Sequence, residues 1–245
     1  MILTVLLVPS GVYAQSPSST AGGNKGICTR LGDLQTKSDN SIAERISKSD
    51  SGRSTRQSNL TAKRGDLDKQ LAARRTKWAE ERQEQFAKLE AKSKTDAQKA
   101  AVSTFEATIK NAIATREAAV DAAVTTYRSG VDSLISTKQS AINTAFGNFK
   151  SSVAAAFTKA QSDCSSGVDP KTVRTNLQAS LKAARTQLKT DIQNATNTQG
   201  QLQALATARK TAIQNAISTF ETTAKTAVAT LKGSFGTTSS PSSTP

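Results

Sequence analysis

Residues 105–164 give the first indication of the fold and read FEATIKNAIATREAAVDAAVTTYRSGVDSLISTKQSAINTAFGNFKSSVAAAFTKAQSDC. From Phe105, repeated steps of 4, 4 and 3 residues reach an apolar side chain at every position except Arg116 and Lys138, as far as Cys164. Three turns in 11 residues correspond to about 3.67 residues per turn, close to the natural α-helix. This hendecad pattern therefore predicts a long helix over residues 98–164 with a straight apolar stripe.

The C-terminal third, residues 170–235, carries a similar but less regular stripe. Asp169 and Pro170 predict a helix start, because an N-cap carboxylate accepts a backbone N–H and proline suits the first helical position. The residues Asn197 to Gly200 are expected to soften the middle of this helix.

The N-terminal third predicts a helix over about residues 27–94 with a more charged surface. Its leucines and isoleucines share one stripe with six arginines, which are Arg45, Arg53, Arg56, Arg64, Arg75 and Arg82. Residues 47–59, SKSDSGRSTRQSN, are polar and contain Gly52, and we expect them to interrupt the helix. After this interruption, the dense Lys, Arg, Glu and Gln composition is typical of an exposed helix with i,i+4 ion pairs.

The two cysteines, Cys28 and Cys164, suggest how the helices are arranged. They begin the first helical region and end the second, so a disulfide within one chain requires an antiparallel pair that turns near residue 96. Three legs of similar length then form a rod of about 100 Å. Two alternatives stay open. A single helix over about residues 60–164 would make the bond intermolecular or absent, and two free buried thiols would suit a reducing compartment.

Composition limits the size of the core. Leu, Ile, Val and Phe make up less than one residue in five, and the net charge is +14. Such values are typical of disorder, but a disordered chain has no reason to keep helical phase over sixty residues. We therefore expect an all-α fold, an elongated three-helix coiled-coil-like bundle with hendecad packing and disordered termini. The second helix carries the least charge, so we expect it to pack between the other two.

The N-terminus carries the signal for the cellular compartment. A short apolar run ends in Val12-Tyr13-Ala14, which predicts a signal peptide over residues 1–14, although no basic residue precedes the run. A buried N-terminal strand is the alternative. Residues 15–26 predict a disordered linker, and residues 236–245 predict a disordered Ser/Thr/Pro tail. No run approaches the length of a membrane span, so a secreted, periplasmic or cell-surface location is expected.

The residue types argue against an enzyme. The chain has no histidine, which removes Ser-His-Asp and Cys-His pairs and histidine metal sites. It also lacks a glycine-rich phosphate loop and a Gly-x-Ser-x-Gly motif. We therefore expect no catalytic, metal-binding or cofactor-binding residues, and no cofactor.

These observations favour an exported, non-enzymatic helical rod with a structural, spacer or surface-interaction role. The alternative is a basic protein that binds polyanions or lipid surfaces, such as a cell-wall polymer, an anionic membrane or nucleic acid. Anionic cell-surface polymers or another coiled-coil protein are the candidate partners, and a homo-oligomer stays open.

Overall fold

The computed structural model describes residues 26–236. They form four α-helices and contain no strand: α1 (Ile27–Ala91), α2 (Asp96–Ser165), α3 (Pro170–Thr196) and α4 (Gln199–Gly236). The expected all-α helical bundle is confirmed. The signal peptide, linker and tail predicted for the termini lie outside the described residues, apart from Gly26 and Gly236 at their edges.

The chain turns between α1 and α2 at residues 92–95. Thr95 is the N-cap of α2, where its Oγ1 accepts the backbone N–H of Gln98 at 3.2 Å. Gln98 in turn accepts the N–H of Lys94 through its Oε1 at 2.8 Å. This reciprocal capping satisfies backbone donors that a helix start leaves without partners. The turn lies close to residue 96, and the alternative of one helix across residues 60–164 does not hold in the structure.

The predicted interruption of the first helix at residues 47–59 is wrong. α1 is continuous over its 65 residues, and Gly52 lies within it. Helix propensity is a weak preference that tertiary contacts override. Here Arg53 pairs with Asp50 along the helix and donates to Asn143 of α2, so the segment is held by polar contacts instead of apolar ones.

The third leg consists of two helices. Asp169 caps α3 by accepting the N–H of Thr172 at 3.0 Å, and Pro170 occupies the first turn, as the sequence indicated. The leg is broken at Asn197 and Thr198, within the segment expected to soften it. A tight connection joins α2 to α3: Gly167 adopts a φ of 75°, and its N–H reaches the carbonyl of Cys164 at 3.2 Å. This left-handed cap is a conformation that favours glycine.

α2 is the central helix of the bundle. It packs against α1, α3 and α4, whereas no Cα atom of α1 lies within 8 Å of one in α4 among the described residues. The expectation that the least charged helix packs between the others therefore agrees with the contacts. No helix of residues 26–236 has the length and apolarity needed to cross a membrane.

Two apolar cores lie at opposite ends of the α1–α2 pair. The base core, beside the cysteines, consists of Leu31, Ile42, Val153, Ala156, Phe157, Ala160, Val173, Leu177 and Ala184. The distal core, beside the turn, consists of Phe86, Ile109, Ile113 and Ala227, with Phe105 edge-on to Phe86 at 6.0 Å. Each core joins α1 and α2 to one of the two helices of the third leg.

The stretch between the two cores is an open section. In α2 only Ala123 is buried among residues 114–141, although the apolar stripe runs through them without a break. On α1 the side chains of Leu67 and Trp78 are 60% and 45% exposed. In this section contacts between charged side chains connect α1 to α2.

Candidate interaction surfaces

The structure brings the two cysteines together at the base of the rod. Cys28 lies in the first turn of α1 and Cys164 in the last turn of α2, with a Cα–Cα distance of 5.8 Å that suits a disulfide. Cys164 also packs against the base core. These are the site residues that the sequence predicted. A pair at bonding distance suits an oxidising compartment.

The open section contains an arginine ladder between α1 and α2. Three arginines of α1 recur every 11 residues, and each reaches an oxygen acceptor on α2. Arg64 donates to Asp132 at 2.9 Å, and Arg75 donates to both carboxylate oxygens of Asp121 at 2.8 and 2.9 Å. At the end nearest the base core, Arg53 donates to Asn143 at 3.0 Å.

One rung of the ladder runs in the opposite direction. Arg128 of α2 donates to both carboxylate oxygens of Asp68 of α1, at 2.7 and 2.8 Å. All four rungs fit one antiparallel register, since each step forward along α1 matches an equal step back along α2. Planar two-point contacts of this kind fix geometry more closely than a lysine ion pair does.

The ladder changes the proton affinities of its members. The hydrogen bond from Arg75 lowers the pKa of Asp121, and the hydrogen bond from Arg128 lowers the pKa of Asp68. Arg53 differs because its acceptor on α2 is a neutral amide. Burial lowers the pKa of Arg53, and its buried Nε has no hydrogen-bond partner among the described residues.

The sequence located the arginines on the stripe but not their partners. A signal for the partners was present, because Asp121, Asp132 and Asn143 also recur every 11 residues. They lie beside the apolar stripe of α2 and not on it, so a search for apolar periodicity passes over them. Matching polar residues in the same period would have revealed the ladder.

The interface between α2 and α4 is held by close contacts. The Arg116 guanidinium lies over the Phe220 ring at 4.5 Å, and the Arg209 guanidinium lies over Tyr127 at 4.3 Å. Arg116, an exception in the apolar stripe, therefore contributes to packing. A groove of about 560 Å³ runs along one side of this interface. Its lining is mostly Thr, Asn and Ala, with Arg116 as its one titratable side chain.

A row of cations, here called the α3 basic stripe, lies along the exposed surface of α3. It consists of Lys171, Arg174, Lys182, Arg185 and Lys189, which are all exposed. At 100° per residue these five positions fall within about 80° of the helix circumference. Within residues 26–236 none of the five side chains forms an ion pair, so the stripe keeps its full charge.

The described residues do not contain a group of three His, Cys, Asp or Glu side chains that could hold a metal ion. Comparisons of the chain with protein-family models, curated proteins and solved structures gave no match. The functional argument therefore rests on the residues and geometry above.

Proposed function

We propose that the chain is an exported, non-enzymatic helical rod that acts as a structural, spacer or surface-interaction protein. The main supporting observation is the α1–α2 hairpin. Helices of 65 and 70 residues run antiparallel, with the cysteine pair at one end and the turn at the other. A straight helix of 65 residues is about 98 Å long. The apolar cores lie at the two ends of this length, which favours a molecule built for reach.

The cysteine pair supports the exported location. A disulfide persists in oxidising compartments and is rare where glutathione keeps thiols reduced. The predicted signal peptide over residues 1–14 agrees with this assignment. The chemistry of the side chains supports a non-enzymatic role, because the chain lacks histidine and the carboxylates of the ladder are occupied by arginines.

Two measurements test this proposal. Small-angle X-ray scattering of the purified protein should give a maximum dimension of about 100 Å, as three-turn-per-hendecad helices of this length require. Fractionation of the producing cells, with free thiols blocked at lysis, should find the protein outside the cytosol with Cys28 and Cys164 oxidised. A compact particle would contradict the rod, and a reduced cytosolic protein would contradict export.

A second candidate function is binding to an anionic polymer or an anionic lipid surface. The α3 basic stripe favours it, since five cations without carboxylate partners attract polyanions. The lipid alternative predicts binding to anionic vesicles, and the polymer alternative predicts salt-sensitive retention on a soluble polyanion.

A further inference from the structure

The α3 basic stripe differs from the other cationic side chains of the rod in its pairing. On α1 and α2 the arginines of the ladder are neutralised by Asp68, Asp121 and Asp132. On α3 the one acidic side chain is Asp191, which accepts a hydrogen bond from Gln187. The charge of α3 is therefore concentrated in the stripe.

The stripe is linear. From Lys171 to Lys189 it extends about 27 Å along the helix axis. Val173, Leu177 and Ala184 anchor α3 in the base core, so the helix that carries the stripe is held in place. A fixed row of cations gives up less conformational freedom on binding than a flexible basic tail.

The surface around the stripe has no apolar anchor. The other exposed residues of α3 are Thr, Ser, Asn, Gln and Ala, none of which is large and apolar. A helix that inserts into a lipid surface carries Trp, Phe or Leu on its exposed face beside the cations. The face also lacks aromatic side chains on which nucleic-acid bases could stack.

We propose that the α3 basic stripe binds a linear phosphate-bearing polymer, which lies along the helix and is recognised through its backbone charge alone. The inference specifies a partner for the surface-interaction role proposed above and rests on that role. Arginine forms two-point hydrogen bonds with phosphate oxygens, and lysine supplies a point charge. The stripe contains both, spaced along one line, so successive phosphates of one chain meet successive cations.

The test measures the affinity of the full chain for inorganic polyphosphate at several salt concentrations. The stripe variant is Lys182→Gln/Arg185→Gln/Lys189→Gln. The control variant removes the same charge from exposed, unpaired positions of α1, as Lys69→Gln/Arg74→Gln/Lys88→Gln. Circular dichroism of each variant should remain helical, because all six positions are exposed.

Five phosphate contacts predict that raising salt from 50 to 200 mM weakens binding by about 100-fold, and two remaining contacts predict about 7-fold. We expect the first value for the unchanged protein and the control, and the second for the stripe variant. A DNA oligonucleotide of equal charge should bind with similar affinity, because the stripe reads only phosphate. Its preference by tenfold or more would indicate base contacts and contradict the proposal.

Three further outcomes overturn the inference. Equal loss in the stripe and control variants would show that net charge, not the stripe, governs binding. Tighter binding to vesicles of anionic phospholipid than to polyphosphate would assign a membrane partner. Absence of binding at 50 mM salt would remove the site. None of these outcomes alters the scattering dimension, so the rod and the polymer site fail separately.

Discussion

Reduction of the Cys28–Cys164 pair is expected to lower the melting temperature by about 10–20 °C. The two cysteines are 136 residues apart in sequence. Closing a loop of that size removes chain entropy from the unfolded state worth about 5 kcal/mol in the chain-entropy model. For a domain of this size, each kcal/mol shifts the melting temperature by about 2–4 °C.

The location of the pair determines how the reduced protein should behave. The base core lies beside the cysteines and holds α1, α2 and α3 together without the covalent bond. We therefore expect the reduced protein to be folded and helical at room temperature, with its transition moved to lower temperature. The loss originates mainly in the unfolded ensemble, so the helix content before melting should not change.

Thermal unfolding followed by far-UV circular dichroism measures this effect. Three samples are compared: the oxidised protein, the same protein in reductant, and Cys28→Ser/Cys164→Ser with and without reductant. The variant should melt near the reduced protein and ignore the reductant. If oxidised and reduced protein melt within about 2 °C of each other, the loop argument is wrong. A dimer that reductant converts to monomer would show that the bond joins two chains.

Three further predictions concern the ladder and the glycines of α2. Asp121→Arg should destabilise the protein by about 1 kcal/mol in chemical denaturation, and the exchange Arg75→Asp/Asp121→Arg should restore most of it, since the pair is partly exposed; failure of the exchange to recover stability would contradict the rung. Because the pKa of Asp121 is lowered by Arg75, the pair stabilises the fold fully above about pH 4 and loses its contribution as the pH falls through the folded-state pKa, whereas Asp121→Asn should lack this dependence. Gly147→Ala should raise stability by about 0.5–1 kcal/mol, because nothing lies near its added Cβ. Gly130→Ala should gain less in the same assay, since its Cβ would lie 2.6 Å from Cδ2 of Leu205; equal gains would refute the close contact.

Local rules account for most of the helix boundaries. The turn near residue 96 and the helix start at Pro170 depend on capping side chains that act within four residues, so the sequence exposes them directly. Apolar periodicity likewise predicted the continuous α2 helix. The Cys28–Cys164 proximity followed from equal lengths of the two legs, which is a geometric consequence of an antiparallel pair.

The centre of α1 was not predictable from the same rules. The sequence around Gly52 is polar and weak in helix propensity, and the residues that hold it lie about 90 positions away on α2. Leu31, Ile42, Arg53, Arg64, Arg75 and Phe86 form one unbroken 11-residue series, in which apolar residues occupy the ends and arginines the centre. A rule that counts only apolar residues finds a gap where the structure has a change of side-chain chemistry.

Periodicity also left the burial of the α2 stripe unresolved. It identified the face that carries Val120, Val124 and Val131, and the structure leaves these side chains only half-buried. Burial depends on how closely neighbouring helices approach, which long arginine–aspartate contacts set for α1 in this section. The α3 basic stripe was hidden for a related reason, because net charge does not distinguish paired cations from unpaired ones.

The arginine ladder gives the molecule a unit of length. Rungs recur every 11 residues on both helices, a step of about 16 Å. Removing or adding one such unit in α1, and the opposite unit in α2, returns the next arginine to the same face and height as its acceptor. A change in one helix alone would instead move the cysteine pair or the distal turn out of alignment. Natural or engineered versions of this hairpin should therefore vary in size by discrete increments, in the way that a ruler is divided.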